Sequence, residues 1–199
     1  MKKSFGKKAV LYQHPALVIG SYGIDGRPNI MTASWGGICA SQPPCITVSI
    51  RKSRHSYEGI MKNRAYSVNI PSVKYIEETD IAGTWSGKDH DKFEELGLTP
   101  LKCPDVNAPY VKEFPVVLSC SLVNTVEAGS HTMFIGEITD FLADSELCGE
   151  NGMPEIEKVD TFIYDTASHH YYSIGERLIR GYSRSEERRV GKECATGCR

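Results

Sequence analysis

The sequence predicts a mainly β protein in which antiparallel strands form a barrel and the helices are few and short. The 199 residues include 18 Gly, 10 Pro and 10 Tyr; Gly and Pro interrupt helices, whereas aromatic side chains fit a pleated sheet. About seven short apolar runs are separated by turn residues, as in closed antiparallel barrels. No glycine-rich phosphate motif of the Rossmann or P-loop type follows a predicted strand, which disfavours both of those folds.

The composition predicts one domain and excludes several classes of protein. With 40% hydrophobic residues, a chain of this length can bury one substantial core, so disorder is excluded for most of it. The net charge of −2 provides no overall attraction to nucleic acid. No apolar run approaches the ~20 residues that cross a bilayer, and the basic first residues lack a signal-peptide core. We therefore expect a cytoplasmic protein with neither nucleic-acid nor membrane partners.

The seven cysteines predict reduced thiols rather than a disulfide framework. Their number is odd, their spacing is scattered, and no Cys-x-x-Cys pair occurs, so no metal site is expected. Cys39 follows a pair of glycines and is a candidate for thiol chemistry, but we interpret it as a buried, inert thiol.

The first predicted supersecondary element is a β-hairpin. Asp25 and Gly26 separate two β-prone runs, residues 16–22 and 27–35. Asp and Gly tolerate the positive φ that a tight turn needs, so this spacing indicates strand, turn and strand.

Residues 45–63 predict a third strand followed by a short helix. The strand covers 45–51, and alternation makes one of its faces apolar, with Ile46, Val48 and Ile50. The helix covers 53–63 and would be capped by Ser53 or Ser56. Three apolar side chains fall on one side of it: Tyr57, Ile60 and Met61.

Similar patterns organise the rest of the domain, which we place at residues 1–182. The predicted elements are a strand at 65–70, a helix at 73–84, a polar loop at 85–90, a helix at 91–96, a hairpin of strands 116–127 and 131–142, a surface loop at 144–154, a strand at 160–172 and a helical turn at 176–180. The charged tail 183–199 is interpreted as a disordered end or an expression or sequencing scar. Its Cys194 and Cys198 are not expected to bind a metal.

The most informative segment is residues 49–57, where a strand ends and a helix begins. It holds three permanent cations, an imidazole and two hydroxyls: Arg51, Lys52, Arg54, His55, Ser53 and Ser56. Positive charge, hydroxyl donors and the free amides of a helix N-terminus are what a phosphate group requires. A solvated basic turn is the alternative, and the segment alone does not decide between them.

A second candidate surface lies on residues 31–37. Alternation places Thr32 and Ser34 on one face of the strand and Met31, Ala33 and Trp35 on the other. The hydroxyl face could hydrogen-bond a heteroaromatic ligand. In the alternative interpretation, Met31 and Trp35 belong to the core and the hydroxyls are simply exposed.

Together these segments resemble the flavin reductase-like family of FMN-binding split barrels, and its flavoredoxin branch in particular. The similar segments occur in one order, at residues 28–39, 42–51, 53–60, 66–69, 86–87, 91–93 and 131–138. The resemblance implies a homodimeric, antiparallel, Greek-key-like split barrel with one non-covalent FMN per subunit, bound near the dimer interface.

The resemblance also implies which residues hold the cofactor. Those matching the strand beside the isoalloxazine ring are Met31, Thr32, Ala33, Ser34 and Trp35. Those matching the pyrimidine edge and ribityl chain are Ser49, Ile50, Arg51 and Lys52, and we expect Arg51 or Lys52 to stabilise the reduced, anionic flavin. The phosphate turn is matched by Ser53, Arg54, His55 and Ser56, and a closing loop by Ser86, Gly87, Lys88 and Lys92. Asn69 is also assigned to the cofactor site.

His131 is the candidate catalytic residue. Related reductases have Gly-Asp-His near the flavin, implicated in nicotinamide binding, where this chain has Gly-Ser-His at 129–131. Without the acidic residue, direct use of NAD(P)H stays open, as does a purely structural role for His131. His169 and His170, beside Tyr171 and Tyr172, either reach the flavin rim or lie on the barrel surface.

The resulting functional hypothesis is an FMN flavoprotein that transfers electrons. It would act either as an NAD(P)H:flavin reductase or as a carrier supplied by a redox-protein partner, with the protein binding and tuning the flavin. Two alternatives are a non-redox module that binds flavin or haem and a pyridoxal-phosphate-dependent oxidase of similar shape.

Overall fold

A computed structural model describes residues 1–181 of the chain. The predicted tail, with Cys194 and Cys198, lies outside the described residues, so the division into a domain and a tail stays a prediction.

Within that range the secondary structure is mostly strand, as predicted. The strands are β1 (His14–Pro15), β2 (Leu17–Tyr22), β3 (Pro28–Ala33), β4 (Gly36–Ser41), β5 (Pro44–Ile50), β6 (Ala65–Ile70), β7 (Pro100–Lys102), β8 (Pro109–Val111), β9 (Val116–Ala128), β10 (His131–Ala143), β11 (Phe162–Asp165) and β12 (His170–Ser173). The helices are α1 (Ser56–Asn63), α2 (Ile76–Thr84), α3 (Lys92–Glu95) and α4 (Ile156–Val159), with single 3-10 turns at Val73–Tyr75 and Ser145–Leu147.

The main sheet has seven strands in the order β3-β2-β6-β9-β10-β5-β4. Every neighbouring pair in it is antiparallel. A second sheet, β1-β11-β12, and a two-stranded sheet, β7-β8, complete the architecture. The prediction of a mainly β, antiparallel fold is therefore confirmed.

Both predicted hairpins form where the turn residues indicated. In the first, β2 pairs with β3 from Leu17 opposite Ala33 to Tyr22 opposite Pro28, and Gly26 adopts a φ of +82°. In the second, β9 pairs with β10, and Gly129 in the turn has a φ of +60°.

The core occupies both faces of the main sheet. Ile19 and Val48 belong to a large cluster enclosed by β2, β5, β6, β9 and β10. Val18, next to Ile19 and therefore on the other face of β2, packs instead with Ala82 of α2 and Phe93 of α3. The helices α2 and α3 are thus held against the outer face of the sheet, beside the end of β3.

Asn69 is fully buried, and its side chain links β2, its own strand β6 and β8 by hydrogen bonds. Its amide nitrogen donates to the carbonyl of Val18 at 2.8 Å and to the hydroxyl of Ser67 at 2.9 Å. Its carbonyl oxygen accepts from the backbone N–H of Val111 at 2.9 Å. Because these bonds lie inside the core, we assign Asn69 a structural role.

The predicted helix 53–63 begins three residues late, at Ser56. Its N-cap is His55, without a side-chain capping bond, so capping by Ser53 or Ser56 is wrong. The Ser56 hydroxyl instead accepts from the side-chain amide of Asn29 at 2.8 Å. Of the predicted apolar face, Tyr57 and Ile60 pack in the core cluster, but Met61 is exposed.

The C-terminal part of the domain also differs from the prediction. Instead of one strand at 160–172 there are two, β11 and β12, because the Asp165 carboxylate accepts from the backbone N–H groups of Ala167 and Ser168 and turns the chain. The predicted helical turn at 176–180 is absent from residues 174–180, since so short a segment rarely forms a helix without tertiary support.

Four strands in the first two thirds of the chain were not predicted: β1, β4, β7 and β8. No strand was predicted for residues 36–41, yet β4 pairs with β5 from Gly36 opposite Val48. The short strands β7 and β8 carry too few residues for a periodic pattern. Cys39 on β4 is exposed, so its interpretation as a buried thiol is wrong, whereas Cys45, Cys103 and Cys120 are buried. No helix among residues 1–181 is long and apolar enough to span a membrane.

Asn69→Ala should lower the free energy of unfolding by about 2–4 kcal/mol, because buried donors and acceptors on three strands lose their partner. Urea unfolding monitored by circular dichroism measures the change. The matched control is Asn124→Ala, since Asn124 is exposed on β9, and should change stability by no more than about 0.5 kcal/mol. Equal unfolding midpoints for the two variants would contradict the structural role.

Candidate functional site

Three neighbouring cavities meet at the side chain of Arg54, which lines all of them. We call them the basic pocket, the tryptophan cavity and the tyrosine cavity. The basic pocket, of about 50 Å³, is lined by Asn29, Met31, Ser53, Arg54, His55, Ser56, Ala82, Gly83, Trp85, Ser86, Gly87 and Lys92. The tryptophan cavity, of about 350 Å³, is lined by Met31, Thr32, Ala33, Ser34, Trp35, Ser49, Ile50, Arg51, Arg54 and His131. The tyrosine cavity, of about 290 Å³, is lined by Ala16, Thr32, Ser34, Arg54, Asp80, Gly83, Thr84, Tyr164 and Tyr171.

The basic pocket concentrates positive charge without a carboxylate among its lining residues. Arg54 is exposed and forms no ion pair or side-chain hydrogen bond with any of residues 1–181. Lys92 is only 3% exposed, and its ammonium group donates to the carbonyls of Ile30 and Ala82, both at 2.8 Å. Burial, followed by the charge of Arg54, lowers the pKa of Lys92 to about 8.

Close backbone contacts shape the basic pocket. The chain turns twice between β5 and α1, with the N–H of Arg54 bonded to the carbonyl of Arg51 and that of Tyr57 bonded to the carbonyl of Arg54, both at 3.0 Å. Gly87 packs so tightly against this turn that a Cβ there would come within 2.6 Å of the His55 ring. Only glycine therefore fits at this point of the loop.

The tryptophan cavity lies between the ends of β3 and β5 and the start of β10. All five residues from Met31 to Trp35 line it. The expected alternation holds within β3: Met31 and Ala33 pack with the inner core cluster, whereas the Thr32 hydroxyl donates to the carbonyl of Thr79 on α2. Thr32 and Ser34 alone of the five also line the tyrosine cavity. Trp35 is 37% exposed, which also excludes the interpretation of Trp35 as a core residue.

His131 forms the far wall of the tryptophan cavity. Its ring lies 4.8 Å from the Trp35 ring, centroid to centroid. The Arg51 Nε–H donates to His131 Nε2 at 3.4 Å, so Nδ1 carries the proton and donates to the Ser130 hydroxyl at 2.9 Å. Burial, and then the charges of Arg51 and Arg54, lower the pKa of His131. The imidazole is therefore neutral at neutral pH.

The tyrosine cavity is closed by α2 on one side and by the β11–β12 hairpin on the other. The Tyr171 hydroxyl donates to Asp80 Oδ1 at 2.9 Å, and the rings of Tyr164 and Tyr171 lie 5.1 Å apart, centroid to centroid. Burial, and then the hydrogen bond to Asp80, raise the pKa of Tyr171. Neither His169 nor His170 lines any of the three cavities.

Most of the predicted site residues line these cavities, but three do not. Lys52 forms an ion pair with Glu127 at 2.9 Å, and Lys88 is exposed in the loop outside the pocket. Asn69 lies in the core, as described above. None of these three side chains lines a cavity in the described residues, so their assignment to the cofactor stays an expectation from the resemblance.

The structure adds lining residues that the sequence analysis missed: Ala16, Asn29, Asp80, Ala82, Gly83, Thr84, Trp85, Tyr164 and Tyr171. Most of them lie on β3, on α2 or on β11–β12, far in sequence from the basic turn. Two positions carried a signal: Trp85 adjoins the predicted loop at 86–88, and Asn29 lies in the similar segment 28–39.

Comparison with known proteins agrees with the antiparallel β fold. Residues 10–166 match the flavin reductase like domain. Flavoredoxin of Desulfovibrio vulgaris (Miyazaki F) is 44% identical and superposes with a TM-score of 0.89, over 93% of this chain and 100% of its own. A putative flavin reductase with a split barrel domain from Shewanella frigidimarina is 29% identical, with a TM-score of 0.76 over 85% of each chain.

A protein of Archaeoglobus fulgidus is 36% identical over 112 residues, which are 56% of this chain and 63% of that relative. The match thus spans just under two thirds of that relative's length. Because the flavin reductase like domain accounts for residues 10–166 of 199 and the antiparallel sheets superpose on split barrels, the chain belongs to the flavin reductase like family.

Proposed function

We propose that the protein binds FMN non-covalently in the basic pocket and the tryptophan cavity and passes electrons through it. One observation carries this proposal: a small, positively charged pocket opens beside a ring-sized cavity, and both are lined by Arg54, whose guanidinium has no partner within residues 1–181. A phosphate joined to a planar ring by a short chain is the ligand that this pair of cavities suits.

The basic pocket is suited to a phosphate dianion in charge and in donors. Arg54 supplies a permanent cation, and hydroxyls of Ser53, Ser56 and Ser86 line the same space. Two of the three ammonium N–H groups of Lys92 are engaged by carbonyls, which leaves one for a ligand. A phosphate carries about −1.5 to −2 charges at pH 7, so charge-assisted hydrogen bonds would hold it strongly.

The tryptophan cavity would orient the ring. Its volume of about 350 Å³ lies within the range of small-molecule sites, and such sites combine apolar walls with a few polar groups. Arg51 lines the cavity, whereas Lys52 is paired with Glu127 outside it. Arg51 is therefore the cation placed to stabilise negative charge on the ring. A bound flavin supplies hydride and electron transfer, and the protein binds, orients and tunes it.

Arg54→Ala should weaken FMN binding about tenfold or more while leaving riboflavin binding unchanged, because a charge-assisted hydrogen bond is worth about 1.5–3 kcal/mol. Quenching of flavin fluorescence, titrated with both flavins, measures the two dissociation constants. Arg27→Ala is the matched control, since Arg27 is exposed, is paired with Asp25 and lines none of the three cavities. If Arg54→Ala weakened the binding of FMN and riboflavin equally, the assignment of the phosphate to the basic pocket would be contradicted.

Binding of FMN should weaken as the pH rises through about 8. Lys92, with its pKa of about 8, is a cation below that pH and neutral above it, while the phosphate is already a dianion above about pH 6.5. Titrations between pH 7.5 and 9.5 should show a falling affinity in the wild type and a flatter profile in Lys92→Met. Riboflavin serves as the control ligand, and a wild-type profile that is level for FMN would contradict this role of Lys92.

Residue 130 bears on whether a nicotinamide is the electron donor. The family resemblance leads us to expect an aspartate there, and this chain has Ser130. Ser130 bonds to His131 Nδ1, and an aspartate there would make the imidazole more basic and more strongly oriented. We expect NADH and NADPH to bleach the flavin band near 450 nm slowly under anaerobic conditions, and Ser130→Asp to accelerate the bleaching. Prompt bleaching of the wild type would contradict a role as a carrier supplied by a redox protein.

A further inference from the structure

The site has three cavities, whereas one FMN has two groups to place in them, a phosphate and a ring system. The basic pocket is single, but two ring-sized cavities, of about 350 Å³ and 290 Å³, open from it on either side of Thr32 and Ser34. One FMN has one phosphate and one ring system, so it fills the basic pocket and only one of the two larger cavities.

We propose that the tyrosine cavity is a second binding site, beside the flavin, for a small planar aromatic molecule that carries a hydrogen-bond donor, such as a phenol. Its position next to a flavin rests on the function proposed above. The discrimination against a carboxylate rests on that function too, because it requires a phosphate to engage Arg54, whereas the aromatic wall and the Asp80 carboxylate belong to α2, β11 and β12.

The aromatic wall of this cavity is held in place before any ligand arrives. The rings of Tyr164 and Tyr171 lie 5.1 Å apart at an angle of 47°. Tyr171 also meets the buried ring of Phe162 edge to face at 5.4 Å, and the Tyr164 hydroxyl is bonded to His169 Nδ1 at 2.7 Å. Ordered aromatic faces favour a planar partner, since little side-chain freedom is lost on stacking.

The polar part of the wall selects a donor. Asp80 Oδ1 accepts from the Tyr171 hydroxyl, whereas Oδ2 has no hydrogen-bond or ion-pair partner within residues 1–181. Arg54 is the other charged group lining the cavity, and a phosphate in the basic pocket would engage it. Asp80 then leaves the cavity with a net negative charge, which favours an O–H or N–H group and disfavours a carboxylate.

Three fluorinated probes of similar size test this selection by 19F NMR on the full chain: 4-fluorophenol, 4-fluoroanisole and 4-fluorobenzoate. We expect 4-fluorophenol to bind about tenfold more tightly than 4-fluoroanisole, which lacks the donor, and 4-fluorobenzoate not to bind measurably once FMN is present and its phosphate engages Arg54. Equal affinities for the phenol and its methyl ether, or no binding of either, would overturn the proposal.

Variants locate the bound probe. Asp80→Ala should abolish the preference for the phenol, while Tyr171→Phe should keep or increase it, because the ring remains and Oδ1 is released. Tyr172→Phe is the matched control: Tyr172 is exposed on the neighbouring position of β12 and should leave all affinities unchanged. A phenol preference that survives Asp80→Ala would place the probe elsewhere and overturn the assignment.

Repeating the titration with saturating FMN separates this inference from the proposed function. Unchanged affinity for 4-fluorophenol supports two sites side by side. Displacement of the probe by FMN would mean that the flavin ring occupies the tyrosine cavity, which would overturn the second site and leave the flavin function standing. Binding of the probe by a chain that binds no FMN would contradict the flavin function while supporting the chemistry of the cavity.

Discussion

A single buried ammonium group holds together the elements that shape the site. Lys92, the first residue of α3, donates to Ile30 of β3 and to Ala82 of α2. The charge of Lys92 is stabilised by two carbonyl dipoles and not by a carboxylate. The site therefore keeps a net positive potential. The cost of burying that charge is visible in the lowered pKa of Lys92. The bond from Lys92 to Ala82 helps to hold α2 in position. Since α2 lines two of the three cavities, this contact also supports their walls.

The second requirement is the curling of the main sheet. In the strand order β3 and β5 are separated by four strands, yet residues from the ends of both line the tryptophan cavity. The two can meet only because the sheet wraps around its apolar core, which brings its edges together. Arg54, on the turn after β5, then lies where the three cavities converge, with the hairpin β11–β12 closing the outer side.

Predictions that depend on interactions between neighbouring residues were mostly correct, and several of those that depend on long-range contacts were wrong. The apolar alternation of Ile46, Val48 and Ile50 and the turn at Gly26 act locally, and both were predicted correctly. The start of α1 was misjudged because Ser56, a good capping residue, is engaged by Asn29 from another strand. Asn69 resembled a site residue in its motif, but its partners Val18 and Val111 are distant in sequence and place it in the core.

The sequence alone determined the antiparallel β character, both long hairpins and the cluster of cations and hydroxyls at residues 51–56, since hydrophobic periodicity, turn chemistry and local charge are properties of neighbouring residues. Only the tertiary structure decided which of these cations stay available to bind an anionic ligand. Lys52 is neutralised by Glu127, whereas Arg54 remains unpaired among the described residues. Tertiary structure also brought Asp80, Tyr164 and Tyr171 to the same site, because a cavity forms between elements whose packing no local pattern encodes.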